Sequence, residues 1–159
     1  MHERKQVSIE KRPASIDLRE EFGHWEGDTV ELGRGGNYLV TLVERKTRFL
    51  LLKAVSNKRS DPVQQAIEEL LSRVPKAVRS LTLDNGSEFA KHSEMAANLS
   101  ADIYFTHPHS PWERGTNENT NGLVRQYFPK SQTFSSLDHS RLSTCRQNII
   151  VKQNENGGD

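Results

Sequence analysis

Three acidic residues lie at positions from which their carboxylates could bind a metal ion together. Asp28 interrupts the strand-like run WEGDTV, and Glu118 lies in the helical run TNENTNGLVRQYF. Asp84 follows the apolar run LTL, directly before the turn residues Asn85-Gly86. A carboxylate inside a strand is costly unless it is paired or bound to a metal. Asp and Asn also favour turns for local reasons, so Asp84 alone does not decide between a turn and a metal ligand.

The three acids can converge if the strand that ends at Asp84 pairs beside the strand that carries Asp28. On the predicted helix, Glu118 shares a small, polar stripe with Gly122, and Val124 belongs to the opposite, apolar side. An all-oxygen ligand set of this kind suits Mg²⁺ or Mn²⁺. Two such ions about 4 Å apart could activate a nucleophile and stabilise a leaving oxygen during phosphoryl displacement.

The elements that must position these acids follow from the hydrophobic pattern. The segment 61–74 has apolar residues at helical spacing, with Asp61 as the predicted N-cap, Pro62 in the first helical position and Gln64 closing a capping box. Three antiparallel strands are followed by strands that alternate with helices, so we predict an α/β fold with a mixed five-stranded sheet flanked by helices. The predicted strands are 24–32, 37–45, 48–55, 78–84 and 101–107, and the further helices are 92–100 and 116–128.

Composition limits the class of protein. A chain of 159 residues is long enough for one domain with a hydrophobic core. The mean hydropathy of −0.75 is low for this length and predicts solvent-exposed arms in addition to the core. The net charge of +1 means that a nucleic-acid surface must come from local clustering. The single cysteine, Cys145, excludes an internal disulfide framework. No apolar run approaches the roughly 20 residues of a membrane helix, and residues 1–12 lack the apolar run of a signal peptide. We therefore expect a cytoplasmic protein without a membrane partner.

The motifs WEGDTV, TLDNGSEF and SPWERGTNENTNGLVRQYFPK together resemble the catalytic core of bacterial insertion-sequence transposases. The resemblance is to the DDE type with a retroviral-integrase-like core, in particular to the insertion-sequence-thirty family, and it covers residues 23–135. It implies a ribonuclease-H-like fold and a polynucleotidyl transferase that cleaves DNA at transposon ends and transfers the strands to target DNA. It also implies that Asp28, Asp84 and Glu118 are the catalytic residues and hold two Mg²⁺ or Mn²⁺ ions. The implied partners are the transposon ends, target DNA and further copies of the chain assembled on DNA.

Residues around the last predicted helix are candidates for DNA binding. Arg114 and Arg125 could contact phosphates. Trp112 could stack on a base or fill a core pocket. Asn117 and Asn121 could contact DNA or merely solvate the end of the helix.

Other polar residues near the motifs have less direct roles. We expect Glu88, within DNGSEF, to support the site through a salt bridge or hydrogen bond rather than to bind metal. His107 and His109 are separated by a single residue, but no cysteine or further histidine completes a metal site. The loop 107–115 is therefore expected to close over DNA.

The chain divides into three predicted segments, namely an N-terminal arm or linker at 1–22, the integrase-like core at 23–135 and an atypical tail at 136–159 with a disordered composition at its end. The resemblance implies an upstream helix-turn-helix and a different continuation after residue 130, neither of which this sequence contains. An alternative function is therefore a truncated remnant that only binds DNA or the full-length transposase. A plain metal-dependent nuclease is a third possibility.

Overall fold

The sheet of the computed structural model is mixed and has six strands. The structure describes residues 6–32 and 37–107 together with the helical positions 122, 124 and 126. The strands lie in the order β1-β6-β5-β2-β3-β4, and only β3 runs against the others. The predicted α/β class with a mixed sheet and flanking helices is confirmed, and β1 adds a sixth strand at the edge. The strands are β1 (Val7–Ser8), β2 (His24–Glu31), β3 (Tyr38–Glu44), β4 (Leu50–Val55), β5 (Ser80–Leu83) and β6 (Asp102–Phe105).

The described helices are α1 (Ala14–Asp17), α2 (Ser60–Ser72) and α3 (His92–Leu99), with short 3₁₀ turns at Ile9–Lys11, Pro75–Ala77 and Ser87–Phe89. Helix α2 buries the apolar face that its sequence pattern predicted, as Val63, Ile67 and Leu70 show. Within the described residues, every helix is too short or too polar to cross a membrane.

The predicted N-cap of α2 is wrong. The helix begins at Ser60, and its N-cap residue Arg59 makes no capping hydrogen bond through its side chain. Asp61 lies inside the first turn, where its carboxylate forms an ion pair with the Lys91 ammonium at 3.0 Å. Long-range pairing thus replaces the local cap that the residue types favour.

Two apolar clusters cover the two faces of the sheet. Because side chains alternate along a strand, β2 directs Trp25 into the cluster beneath α2 and α3, and Val30 into the cluster on the opposite face. Glu26 and Asp28 have the same parity as Val30 and belong to that second face. The second cluster comprises Val30, Leu32, Leu39, Val43, Leu50 and Val124.

The N-terminal segment packs on the edge of the sheet. Val7 pairs with Tyr104 in parallel register, which places β1 beside β6. The side chain of Arg12 is only 4% exposed and donates to Thr82 Oγ1 at 3.0 Å and to Asp17 Oδ1 at 2.5 Å. Arg12 therefore ties this segment to the central strand β5.

Candidate active site

The pairing of β2 with β5 determines where two of the predicted acids lie. The strands are parallel neighbours, with Glu26 opposite Thr82 as the last registered pair. Asp28 and Asp84 each follow that pair by two residues, so both continue the same face of the sheet at the same height. Both side chains are half-buried. The condition that the sequence left open, adjacency of these two strands, is met.

Backbone hydrogen bonds orient both carboxylates. The amide of Thr29 donates to Asp28 Oδ1 at 2.8 Å, and the amide of Gly86 donates to Asp84 Oδ1 at 2.9 Å. The turn after Asp84 is itself fixed, because Asn85 Nδ2 donates to the carbonyl oxygen of Thr106 at 2.5 Å, just beyond β6. The turn chemistry that made Asp84 ambiguous in the sequence therefore serves to orient its side chain.

On the face of β2 opposite Asp28, buried leucine side chains pack directly against Gly27. A Cβ placed on Gly27 would lie 2.7 Å from Leu83 Cδ2 and 3.2 Å from Leu42 Cδ2. Both leucines are fully buried. Only glycine allows β2 to pack this closely against the core while presenting the adjacent Asp28 on the other side.

Glu88 has a supporting role in this structure, as the sequence predicted. Its side chain is 3% exposed, and its Oε2 accepts a hydrogen bond from Thr29 Oγ1 at 2.7 Å and pairs with Lys58 Nζ at 3.0 Å. A Cβ on Gly86 would lie 1.7 Å from Glu88 Oε1 and 3.0 Å from Asp84 Oδ1, so the two carboxyl groups flank one small residue. Glu88 thereby joins the turn that carries Asp84 to the strand that carries Asp28.

Lys58 is a candidate site residue that the sequence analysis did not identify. Burial of the ammonium alone would lower the pKa of Lys58, but the hydrogen bond to Glu88 and the charges of Glu88 and Asp84 outweigh it and raise the pKa. The lysine is therefore charged at neutral pH. Lys58 lies in the run SNKRSD between β4 and α2. Because β4 runs in the same direction as β2 and β5, residues that follow these strands lie at the same edge of the sheet, and this was the only sequence signal for a role of Lys58.

The helical positions late in the chain lie on the face of the two aspartates. Val124 is fully buried in the cluster that contains Val30, two residues beyond Asp28. Gly122 is exposed, in agreement with the polar stripe predicted for it, and Gln126 is exposed as well. Val124 therefore packs this part of the helix on the face of the sheet that carries Asp28 and Asp84.

The third predicted acid, Glu118, lies outside the described residues, and so do the predicted DNA-binding residues Arg114, Arg125, Trp112, Asn117 and Asn121 and the second histidine, His109. Within the described ranges, no three His, Cys, Asp or Glu side chains are grouped closely enough to hold a metal ion.

His107 has a local partner in the structure. Its Nε2 lies 3.1 Å from Glu10 Oε1.

Comparisons with known proteins agree with this architecture. Residues 19–111 match the family model described as the integrase core domain. The chain is 46% identical over 135 residues to "Transposase InsI for insertion sequence element IS30A" of Escherichia coli (strain K12), covering 84% of this chain and 35% of that protein. It is 39% identical over 136 residues to "Transposase for insertion sequence element IS4351" of Bacteroides fragilis, covering 86% of this chain and 42% of that protein. The chain thus spans little more than a third of the length of these relatives. The resemblance indicated by the sequence motifs is confirmed.

Solved structures share the fold at low sequence identity. A chain of a simian T-cell lymphotropic virus intasome in complex with PP2A regulatory subunit B56 gamma gives a TM-score of 0.64 at 15% identity, covering 97% of this chain and 54% of that chain. The catalytic core domain of BIV integrase gives a TM-score of 0.59 at 17% identity, covering 84% of both chains. The predicted ribonuclease-H-like fold is thereby confirmed.

Proposed function

This chain belongs to the integrase core domain family, and we propose that it is the catalytic core of a DDE transposase, which cleaves DNA strands at insertion-sequence ends and joins them to target DNA. The observation that carries the proposal is the parallel pairing of β2 with β5, which sets Asp28 and Asp84 side by side at one height. Their backbone hydrogen bonds fix the orientation of both carboxylates.

Asp28, Asp84 and Glu118 would hold divalent ions, Mg²⁺ or Mn²⁺ and two in number. The donor set fits, because two half-buried carboxylates on adjacent strands provide oxygen ligands and leave room for water and phosphate oxygens. When bound, such ions supply activation of a nucleophile and stabilisation of the leaving oxygen. We do not include Glu88 in this set, because its Oε2 is engaged by Thr29 and Lys58.

DNA is the proposed partner, through phosphate contacts of Arg114 and Arg125, stacking of Trp112 and polar contacts of Asn117 and Asn121. The similarity to transposases for insertion sequence elements supports DNA as the substrate, and we propose that several copies of the chain assemble on it. Water would be the nucleophile for strand cleavage and the liberated 3′ hydroxyl the nucleophile for strand transfer. The three acids then act as ligands rather than as nucleophiles.

The proposal is tested with a labelled duplex oligonucleotide that carries a nick with a free 3′ hydroxyl, incubated with supercoiled plasmid and Mn²⁺. Joining transfers the label to the plasmid, whereas hydrolysis shortens the labelled strand. Asp28→Asn and Asp84→Asn are expected to abolish both products. Asp102→Asn is the matched control, because Asp102 is exposed at the start of β6, the end of its strand remote from the site.

The products separate the alternatives. Transfer of the label that requires both aspartates supports the transposase proposal. Hydrolysis without transfer would identify a metal-dependent nuclease. DNA binding with neither product would identify a chain that only binds DNA, and products that persist in both aspartate variants would overturn the assigned site.

A further inference from the structure

The ion pair between Lys58 and Glu88 joins a buried carboxylate to a lysine side chain that is exposed. Glu88 is almost fully buried, whereas the side chain of its partner Lys58 is 47% exposed. The Lys58 side chain therefore reaches the surface of the site, while the carboxylate that pairs with its ammonium is buried. Glu88 also accepts from Thr29, the residue after Asp28, whose side chain lies on the opposite face of β2. The carboxylate that holds the ammonium is therefore fixed to the strand that carries Asp28.

The ammonium retains capacity for a second partner. A lysine ammonium has three donors, and the contact to Glu88 at 3.0 Å uses one of them. The carboxylates of Glu88 and Asp84 both lie against Gly86, so the ammonium that pairs with Glu88 lies close to Asp84 as well. A cation beside a carboxylate that is proposed to bind metal can contact the backbone phosphates of a strand bound there.

We propose that Lys58 binds a backbone phosphate of the DNA strand engaged at Asp28 and Asp84, and that Glu88 is the positioning residue that holds the ammonium there. The inference rests on the proposed function, since it takes DNA as the substrate of the same site. Lys58 comes from the loop between β4 and α2 and so adds a contact from that side of the site.

Another lysine of the chain provides the matched control. Lys53, on β4, forms a short ion pair with Glu69 of α2, and both of these side chains are partly exposed. This pair bridges a strand and a helix and is not connected to Asp28 or Asp84 by any hydrogen bond found here among the described residues. The Lys53–Glu69 pair therefore has the same charges as the Lys58–Glu88 pair but lies away from the two aspartates.

The test measures the salt dependence of binding to a duplex oligonucleotide of arbitrary sequence, for the wild type, Lys58→Met and Lys53→Met. Methionine keeps most of the apolar stem and removes the charge. Loss of one phosphate contact should lower the slope of log affinity against log salt by about 1 for Lys58→Met, with no change for Lys53→Met. If Lys58→Met fails to fold with Glu88 left unpaired, the double variant Lys58→Met with Glu88→Gln removes both charges and gives the same readout.

Cleavage kinetics separate binding from positioning. Glu88→Gln keeps the ammonium but no longer fixes it, so we expect an unchanged salt slope and a strand-cleavage rate at saturating DNA that is about tenfold lower, the loss typical of one contact to a charged group. A merely structural Glu88 would instead lower the melting temperature and leave the rate of the folded fraction unchanged, which would overturn the positioning role.

The remaining outcomes are also decisive. An unchanged slope for Lys58→Met, or an equal decrease for Lys53→Met, overturns the inference even if the wild type cleaves DNA normally. A wild type that binds DNA through Lys58 but produces neither cleavage nor joining overturns the proposed function while the phosphate contact stands. Absence of DNA binding by the wild type overturns both.

Discussion

Replacing Gly27 with alanine should destabilise the fold, although alanine is normally the better residue. The added methyl would lie 2.7 Å from Leu83 Cδ2, with Leu42 and Leu81 side chains at 3.2 and 3.3 Å. All three leucines are fully buried, so none can retreat without disturbing the core. Overpacking of this kind costs about 1–3 kcal/mol, and the lower entropy of the unfolded alanine chain offsets about 0.4–1 kcal/mol. We expect a net loss of about 1–2 kcal/mol in the free energy of unfolding.

The same substitution at Gly122 is the control. Gly122 is helical, and a Cβ there meets nothing within 4 Å. Gly122→Ala should therefore stabilise the helix by up to about 1 kcal/mol. Urea unfolding followed by circular dichroism measures both variants, and the Gly27 variant should melt about 2–8 °C lower at the usual 2–4 °C per kcal/mol. A Gly27→Ala protein as stable as the wild type would show that β2 does not pack as closely behind Asp28 as described.

Four further outcomes are expected. Millimolar Mn²⁺ should raise the melting temperature of the wild type by mass action but not that of Asp28→Asn, and no rise in the wild type would contradict metal binding. Arg45→Met should cost about 3–5 kcal/mol in urea unfolding, because the Glu26 carboxylate, 2.7 Å from this guanidinium and fully buried, loses its partner; a loss below 1 kcal/mol would mean that the pair contributes little. Arg114→Ala or Arg125→Ala should each lower the salt slope of DNA binding by about 1, and unchanged slopes for both would remove them from the interface. Glu118→Gln should abolish cleavage while leaving melting temperature and DNA affinity nearly intact, whereas full cleavage would transfer the role of third ligand to another acid.

The sequence was sufficient for the elements that carry Asp28 and Asp84, because both strands have strong local signals. The strand-like run that carries Asp28 is followed by the glycine-rich turn signal GRGG, and the run before Asp84 ends in the Asn-Gly turn. Adjacency of the two strands could only be stated as a condition, since register depends on contacts across the sheet.

The sequence was insufficient wherever a side chain found a distant partner. Asp61 has the right type for an N-cap, but it is the second residue of the helix, two positions after the N-cap Arg59, and it forms an ion pair with Lys91 there. Lys58 and Glu88 are separated by a helix and a strand along the chain, so no local pattern could connect them. Val7 and Ser8 lack the alternation of a longer strand and pair only because β6 offers its edge.

The short strand β1 has a consequence for the solubility of the domain. It covers the backbone edge of β6, which otherwise presents unpaired amide and carbonyl groups beside Ile103 and Phe105, and such an edge is a template for pairing with another molecule. The family match begins only at residue 19, after β1 and Arg12. A domain trimmed to that boundary would keep both aspartates but expose a bare edge, so aggregation rather than loss of catalytic residues would be its characteristic failure.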